Sequence, residues 1–213
     1  MLQSVVNAKV ALGLSRAAEI LGSNHTLYRP STSITPVEGT PFGSLYCAFD
    51  VKPDFKLVST AQPNHAYSAL LADPSAVQQG DYLVGDDIHF VARVEPLRAA
   101  LCVLCDQTLD FLSSDITTSA GTNSYGGGSS TSDVLLAQGW PVSMSARTRG
   151  EADVTKLPSD TRAAYYDVLV PPIPGVFLTF GMQLRDTTGQ EYEVMSAELS
   201  LFGWRLLAGL TTT

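Results

Sequence analysis

Charge is what this sequence has least of. Only 16% of its residues are Asp, Glu, Lys or Arg, against about a quarter in an ordinary soluble domain. The basic share is the smaller one: 13 Lys and Arg stand against 21 Asp and Glu, a net charge of −8. None of the basic residues forms a run. Binding of DNA by counterion release needs clustered Lys and Arg, so sequence-specific nucleic-acid binding is excluded, and an acidic membrane surface is excluded on the same ground. Cysteine is scarce too. Cys47, Cys102 and Cys105 are an odd set, without a disulfide framework, and suit a chain kept in a reducing cytosol. Long apolar runs are missing. The stretch from Leu2 to Leu21 is interrupted by Lys9, Arg16 and Glu19, so it is no membrane span, and without a small-residue cleavage site it is no signal peptide. Catalytic patterns are missing as well: no Gly-x-Ser-x-Gly, no His-Glu-x-x-His and no phosphate loop ending in Gly-Lys-Ser/Thr. These absences argue against an enzyme and against any cofactor or metal.

What the sequence does have is an internal repeat. Gly80-Asp81-Tyr82-Leu83 opens a short strand, Gly85-Asp86-Asp87 turns, and Phe90-Val91-Ala92 resumes before Glu95-Pro96-Leu97. The same order returns with Gly181-Met182-Gln183-Leu184, the turn Asp186-Thr187-Thr188-Gly189, Tyr192-Glu193-Val194 and Glu198-Leu199. Each copy then enters an apolar strand, Leu101 to Leu104 and Trp204 to Leu207. Two alternating runs around a turn rich in Gly, Asp and Thr are the mark of a β-hairpin. The fold class expected is therefore mainly β: two small antiparallel sandwich- or barrel-like modules, with an N-terminal helix and a long Pro-rich arm.

The helix is read over residues 4 to 21, capped by Ser4, with apolar residues near helical spacing and a stop at Gly22. Residues 23 to 45 carry Pro30, Pro36, Gly39, Pro41 and Gly43 and read as irregular chain, an arm able to lie along a neighbouring subunit. Strands are expected at 44–51, 56–60, 67–71, 81–84, 89–94 and 100–104, the last extending as far as 112. The Ser-, Thr- and Gly-rich stretch 113–132 reads as a flexible loop. The domain organisation expected is thus 1–43 helix and arm, 44–112 first module, 113–132 loop and 133–213 second module.

Several residue pairs invite a chemical reading. Cys102-x-x-Cys105 has the spacing of zinc and thiol redox sites, yet residues three apart on a strand point to opposite faces, which favours packed core thiols. Asp86-Asp87 has the composition of an acid–base pair. At a hairpin tip, turn formation is the better reading, because Asp bonds its own backbone there. His25, His65 and His89 stand apart in sequence and read as loop or capping residues. Trp140 and Trp204 are the only tryptophans. Such residues anchor cores or interface hot spots, and both roles stay open.

Taken together, Gly80 to Leu83, Phe90 to Ala92, Glu95-Pro96-Leu97 and Leu101-Cys102-Val103, with Gly139-Trp140-Pro141, Leu157-Pro158-x-Asp160-Thr161-Arg162, Tyr165-Tyr166, Pro174-Gly175-Val176, Ala197-Glu198-Leu199 and Gly203-Trp204-Arg205-Leu206, resemble structural proteins from the morphogenesis clusters of tailed bacteriophages. The resemblance covers roughly residues 65–208. It departs from that group at His89, where Gly or Thr is preferred, and in the segment 25–60. It implies a virion component of a contractile-tail phage, assembled in the host cytoplasm, at the neck or where the tail tube meets the baseplate. The partners implied are copies of itself in a six-fold ring and other virion proteins such as tail tube, sheath, portal connector or baseplate. Leu12, Ile20, Tyr28, Pro30, Trp140, Tyr166 and Trp204 are the residues expected at interfaces. The competing expectation is a host-surface or carbohydrate-binding β module of a tail fibre, using Trp140 and Tyr166.

Overall fold

A computed structural model describes residues 2–50, 66–95, 97–116, 131–146 and 164–211. Within them, helix α1 (Leu2–Leu21) is followed by β1 (Ser23–Tyr28), β2 (Gly43–Asp50), β3 (Ala66–Leu71), β4 (Tyr82–Val84), β5 (Ile88–Arg93), β6 (Ala100–Cys105), β7 (Gln107–Ile116), β8 (Thr131–Ala146), β9 (Tyr165–Val170), β10 (Gln183–Asp186), β11 (Glu191–Ser200) and β12 (Gly203–Leu210). The strands close into two antiparallel barrels, ordered β1-β2-β3-β6-β5-β4 and β7-β8-β9-β12-β11-β10. Renumbered from its own first strand, the second order is identical to the first. The expected duplication is therefore a duplication of whole barrels.

The repeat holds at the level of single hydrogen bonds. Gly80 and Gly181 both have positive φ, 92° and 81°, a region that glycine enters without strain. The Gly80 amide donates to the Val91 carbonyl at 2.8 Å and the Gly181 amide to the Val194 carbonyl at 2.9 Å. Val91 N–H in turn donates to Asp81 O, and Val194 N–H to Met182 O, both at 2.8 Å. Both copies carry a β-bulge at the same place, between Val91 and Arg93 and between Val194 and Ser196. A bulge bends a strand and adds twist, which is how a short strand rounds the corner of a closed barrel.

Barrel 1 fills its interior with Leu27, Leu45, Cys47, Ala69, Leu71, Leu83, Val91, Ala100 and Cys102. The alternate residues Tyr82, Phe90, Ala92 and Val103 turn outward and join the core of barrel 2 with Leu109, Phe111, Trp140, Val142, Leu184 and Leu206. Strands β4 to β6 are thus buried on both faces, which is why Phe90-Val91-Ala92 reads as a continuous apolar run. Polar contacts seal the junction. Tyr82 Oη donates to the Pro141 carbonyl at 2.8 Å, and Asp106 accepts from the Met144 amide at 2.7 Å while its own amide donates to Val142 O at 3.0 Å.

The expected boundaries need correction. The strand at the end of the first module is interrupted at Asp106, and Gln107–Ile116 belongs to barrel 2. Residues 113–116 and 131–132, expected as loop, lie in the β7–β8 pair, while 117–130 lie outside the described residues. Residues 23–28, read as irregular arm, form β1 because His25 and Leu27 alternate inward ahead of the first proline. The helix begins before Ser4, so Ser4 is no cap. Val176 to Thr179 is coil. The expected strand at 56–60 falls on residues that are not described. Gly22 does end the helix. A Cβ there would sit 2.5 Å from the carbonyl oxygens of Ala18 and Cys47.

Candidate functional site

The arm read as irregular chain packs on its own chain. From Tyr28 it runs across to barrel 2 of its own chain. Ile34 bridges to Gln138, Thr35 N–H donates to Gln138 O at 2.8 Å and Gln138 N–H to Ser33 O at 3.0 Å. Trp140 Nε1 donates to the same Ser33 carbonyl at 2.6 Å. At the arm's root, Arg29 grips Asp81 in both oxygens, Nε to Oδ1 at 2.8 Å and Nη2 to Oδ2 at 2.7 Å. Asp81 is the buried partner, with its side chain 1% exposed, and also accepts from Gln78 N–H at 2.8 Å. The Arg29 guanidinium lies 4.6 Å from the centre of the Phe42 ring. Its pKa is raised, chiefly by the hydrogen bond to Asp81.

The residues expected at interfaces divide accordingly. Trp140 is fully buried and Trp204 nearly so. Trp140 packs on Tyr82 across the barrel junction, and Trp204 takes the edge of Phe177 at 4.8 Å between centroids. Both are core residues, which corrects their expected role. Tyr28 sits half-buried in β1 opposite Tyr82, Pro30 is half-buried just beyond it, and Tyr166 is half-buried against Tyr192. Leu12 and Ile20 are exposed.

The cysteines that invited a chemical reading are packed, and His65 lies outside the described residues. Cys102 packs inside barrel 1 and Cys105 toward the barrel junction, on opposite sides of β6. Burial pushes all three thiols up, Cys47 to about 12 and the other two further, whereas a reactive thiol needs a lowered value. Asp186 works as a turn former. Its Oδ1 accepts from the Thr188 and Gln190 amides and the Thr188 hydroxyl, and Oδ2 from the Tyr192 hydroxyl. Burial opposes ionisation there, but these bonds, led by the Thr188 hydroxyl, hold the carboxyl below its ordinary value. The histidines correct another expectation. His25 and His89 are buried in an aromatic cluster. His89 stacks on Phe49 at 4.0 Å, and Tyr67 and His25 approach it edge-on. His89 Nδ1 has no hydrogen-bond partner among the described residues, and burial lowers its pKa to about 4. Among the described residues no group of three or more His, Cys, Asp or Glu is arranged to hold a metal, and no helix is long and apolar enough to cross a membrane.

What the surface offers is adhesion. Val5, Val6, Val10, Leu12, Ile20 and Leu21 of α1 are all more than 40% exposed, and Ala18 is the helix's one core residue among those described. The helix rests on β2 and β3 through its opposite side. A second apolar region lies on barrel 2, where Met195, Leu199, Leu201, Phe202, Phe177 and Phe180 are exposed. Contiguous exposed apolar patches are where interaction sites are commonly found. Of these exposed residues the sequence singled out Leu12 and Ile20 and not Phe177, Phe180, Leu201 and Phe202. The turns that hold them, at Gly175 and Gly181, were readable, but which neighbouring side chains stay in solvent was not. Comparisons with protein-family models, curated proteins and solved structures found no match.

Proposed function

We propose that the protein is a structural component of a tailed-bacteriophage virion, a ring-forming part of the neck or of the junction between tail tube and baseplate. It works by adhesion to copies of itself and to neighbouring virion proteins. The single observation that carries this reading is α1: a helix of 20 residues with most of its apolar side chains in solvent. Three further features support it. The outward residues of barrel 1 join the core of barrel 2, which packs the two barrels directly together, suited to a ring wall. Of the phage-like motifs, Gly80 to Leu83 opens the duplicated turn of barrel 1, and Leu157 to Arg162 lies outside the described residues. The net charge of −8 would repel DNA phosphates, so a genome could slide past.

The test is the protein composition of purified particles of the phage that encodes this sequence. The expectation is a fixed copy number per particle, measured by quantitative mass spectrometry. Intact particles without the chain would refute the proposal. The tail-fibre reading relied on Trp140 and Tyr166 as sugar-stacking rings, and neither is displayed to solvent for that purpose.

A further inference from the structure

The charges on α1 are unlike those of the rest of the chain. Every described arginine of the two barrels is already in an ion pair: Arg29 with Asp81, Arg93 and Arg98 with Glu95, Arg185 with Glu191, Arg205 with Asp167. Lys9 and Arg16 are exposed and make no ion pair among the described residues. Seven positions separate Lys9 from Arg16, as they separate Val5 from Leu12. Seven residues are two turns, about 10 Å of helix, so the four side chains alternate along one stripe. Ile20 extends it, and exposed Glu19 flanks it beside Arg16; Val6, Val10 and Leu21 lie further round the helix. Val5, Leu12 and Ile20 leave on the order of 300 Å² in solvent. With the stems of Lys9 and Arg16 the stripe makes a small, charge-guided contact, below the roughly 800 Å² that each partner buries in a standard interface.

The surface of matching chemistry is the outer side of β11. Glu193 and Glu198 are exposed there and have no ion pair among the described residues. Arg205, which faces Glu198 across the β11–β12 pair, contacts Asp167 at 3.9 Å. The bulge after Val194 leaves both Met195 and Ser196 exposed between the two carboxylates, and Leu201 and Phe202 continue the surface beyond Glu198, with the Arg93 guanidinium, already paired to Glu95, 5.8 Å from the Phe202 ring. Beside it lies a hollow of about 220 Å³ lined by Asp167, Ser196, Glu198, Arg205 and Leu207. Five residues of bulged strand separate the carboxylates by about 15 Å, a span that two flexible basic side chains about 10 Å apart can cover.

We infer that the partner of α1 is a second copy of this chain, with the stripe Val5-Lys9-Leu12-Arg16-Ile20 of one subunit lying on the Glu193–Met195–Glu198–Phe202 surface of the next. The contact joins two different patches, so it propagates head to tail and closes as a ring. The inference deepens the ring reading and rests on it for closure, but its failure is separable.

The experiment is sedimentation velocity on the full chain over a concentration series, with circular dichroism to verify folding. The wild type should associate, less strongly at high salt. Lys9→Glu with Arg16→Glu should weaken association at least about tenfold by placing like charges together, and Glu193→Lys with Glu198→Lys should do the same. Mixing the two variants should restore the contact to within about threefold, because only reversed stripe on reversed strand is then complementary. Folded variants that associate like the wild type would overturn the docking while leaving a ring intact. A wild type that stays monomeric throughout would overturn it too, and particle composition would still decide the virion reading.

Discussion

Replacing Arg29 by methionine tests what fastens the arm. The change keeps an unbranched stem beside Phe42 and removes only the guanidinium. Asp81, with its side chain 1% exposed, then loses both guanidinium bonds and keeps the Gln78 amide. Breaking a buried ion pair from one side costs about 3–5 kcal/mol, because a charge is left without compensation. Arg29 itself is 42% exposed, so water can enter the vacated place, and the lower end, about 3 kcal/mol, applies. For a chain of this size each kcal/mol lowers Tm by about 2–4 °C, which predicts a loss of roughly 6–12 °C. Circular dichroism follows the barrels as a whole. Tryptophan emission adds a local reading, since Trp140 Nε1 is bonded to Ser33 of the same arm and should shift before global unfolding if the arm loosens. Asp81→Asn should cost less, about 1–2 kcal/mol, because an acceptor remains. An Arg29→Met protein that melts within about 1 °C of the wild type would mean that the pair contributes no more than a surface pair, and the arm would need another anchor.

Three other outcomes are expected. His89 is held neutral, with its pKa lowered from 6.5 to about 4 by burial and then by His25, against a smaller opposing pull from Asp87. Between those values the unfolded chain binds a proton that the folded chain lacks, so stability is complete above about pH 6.5 and falls by up to about 3 kcal/mol as pH descends to 4. His89→Phe should flatten that part of the urea-unfolding profile, and an unaltered slope would contradict the assignment. Gly203→Ala should cost about 2 kcal/mol or more, since φ is 114° and the new Cβ would lie 2.6 Å from Val170 O. Gly175→Ala, at φ 73° with open space around it, should cost about 1 kcal/mol, and equal midpoints for the two would refute the steric argument. Trp140→Phe should cost about 2–3 kcal/mol through the lost indole bond and the smaller ring, with faster proteolysis of residues 31–38 as the second measurement.

The doubled hairpin was legible because turns advertise themselves. Gly80 and Gly181 need positive φ, Asp186 bonds its own loop, and the alternation on each side has period two. The helix was legible from its spacing and its stop at Gly22. The division between the barrels was not. Cys105-Asp106-Gln107 lacks the glycine or proline that ordinarily marks a boundary, and Leu109 and Phe111 carry the alternation on beyond it. Strand β1 was hidden by the prolines that follow it. The fates of Trp140 and Trp204 depended on the second barrel closing over them, a long-range event that local pattern does not report. The histidine cluster was invisible for the same reason. His25 and His89 are far apart in sequence, and their rings come within 6.5 Å of each other only when β1 and β5 join one barrel.

The duplication shows which part of the repeated turn is framework and which part is replaceable. Backbone geometry is common to both copies, but Asp81 in barrel 1 corresponds to Met182 in barrel 2. Where the Gln78 amide donates to an Asp81 oxygen at 2.8 Å, the Thr179 amide lies 3.3 Å from Met182 Sδ. The second barrel therefore closes around the same turn with an apolar residue and no ion pair. A charged pair replaced as a unit by apolar side chains of similar volume is often neutral or stabilising, whereas removing one partner is costly. The double variant Arg29→Met with Asp81→Met should consequently recover most of the stability lost in Arg29→Met alone, to within about 1 kcal/mol of the wild type. Urea midpoints of the wild type, both single variants and the double variant close the cycle, with a coupling of about 1.5–3 kcal/mol expected. If the double variant instead loses the sum of the two single costs, the two turns are not interchangeable, and Asp81 must hold the arm through contacts that Met182 has no counterpart for.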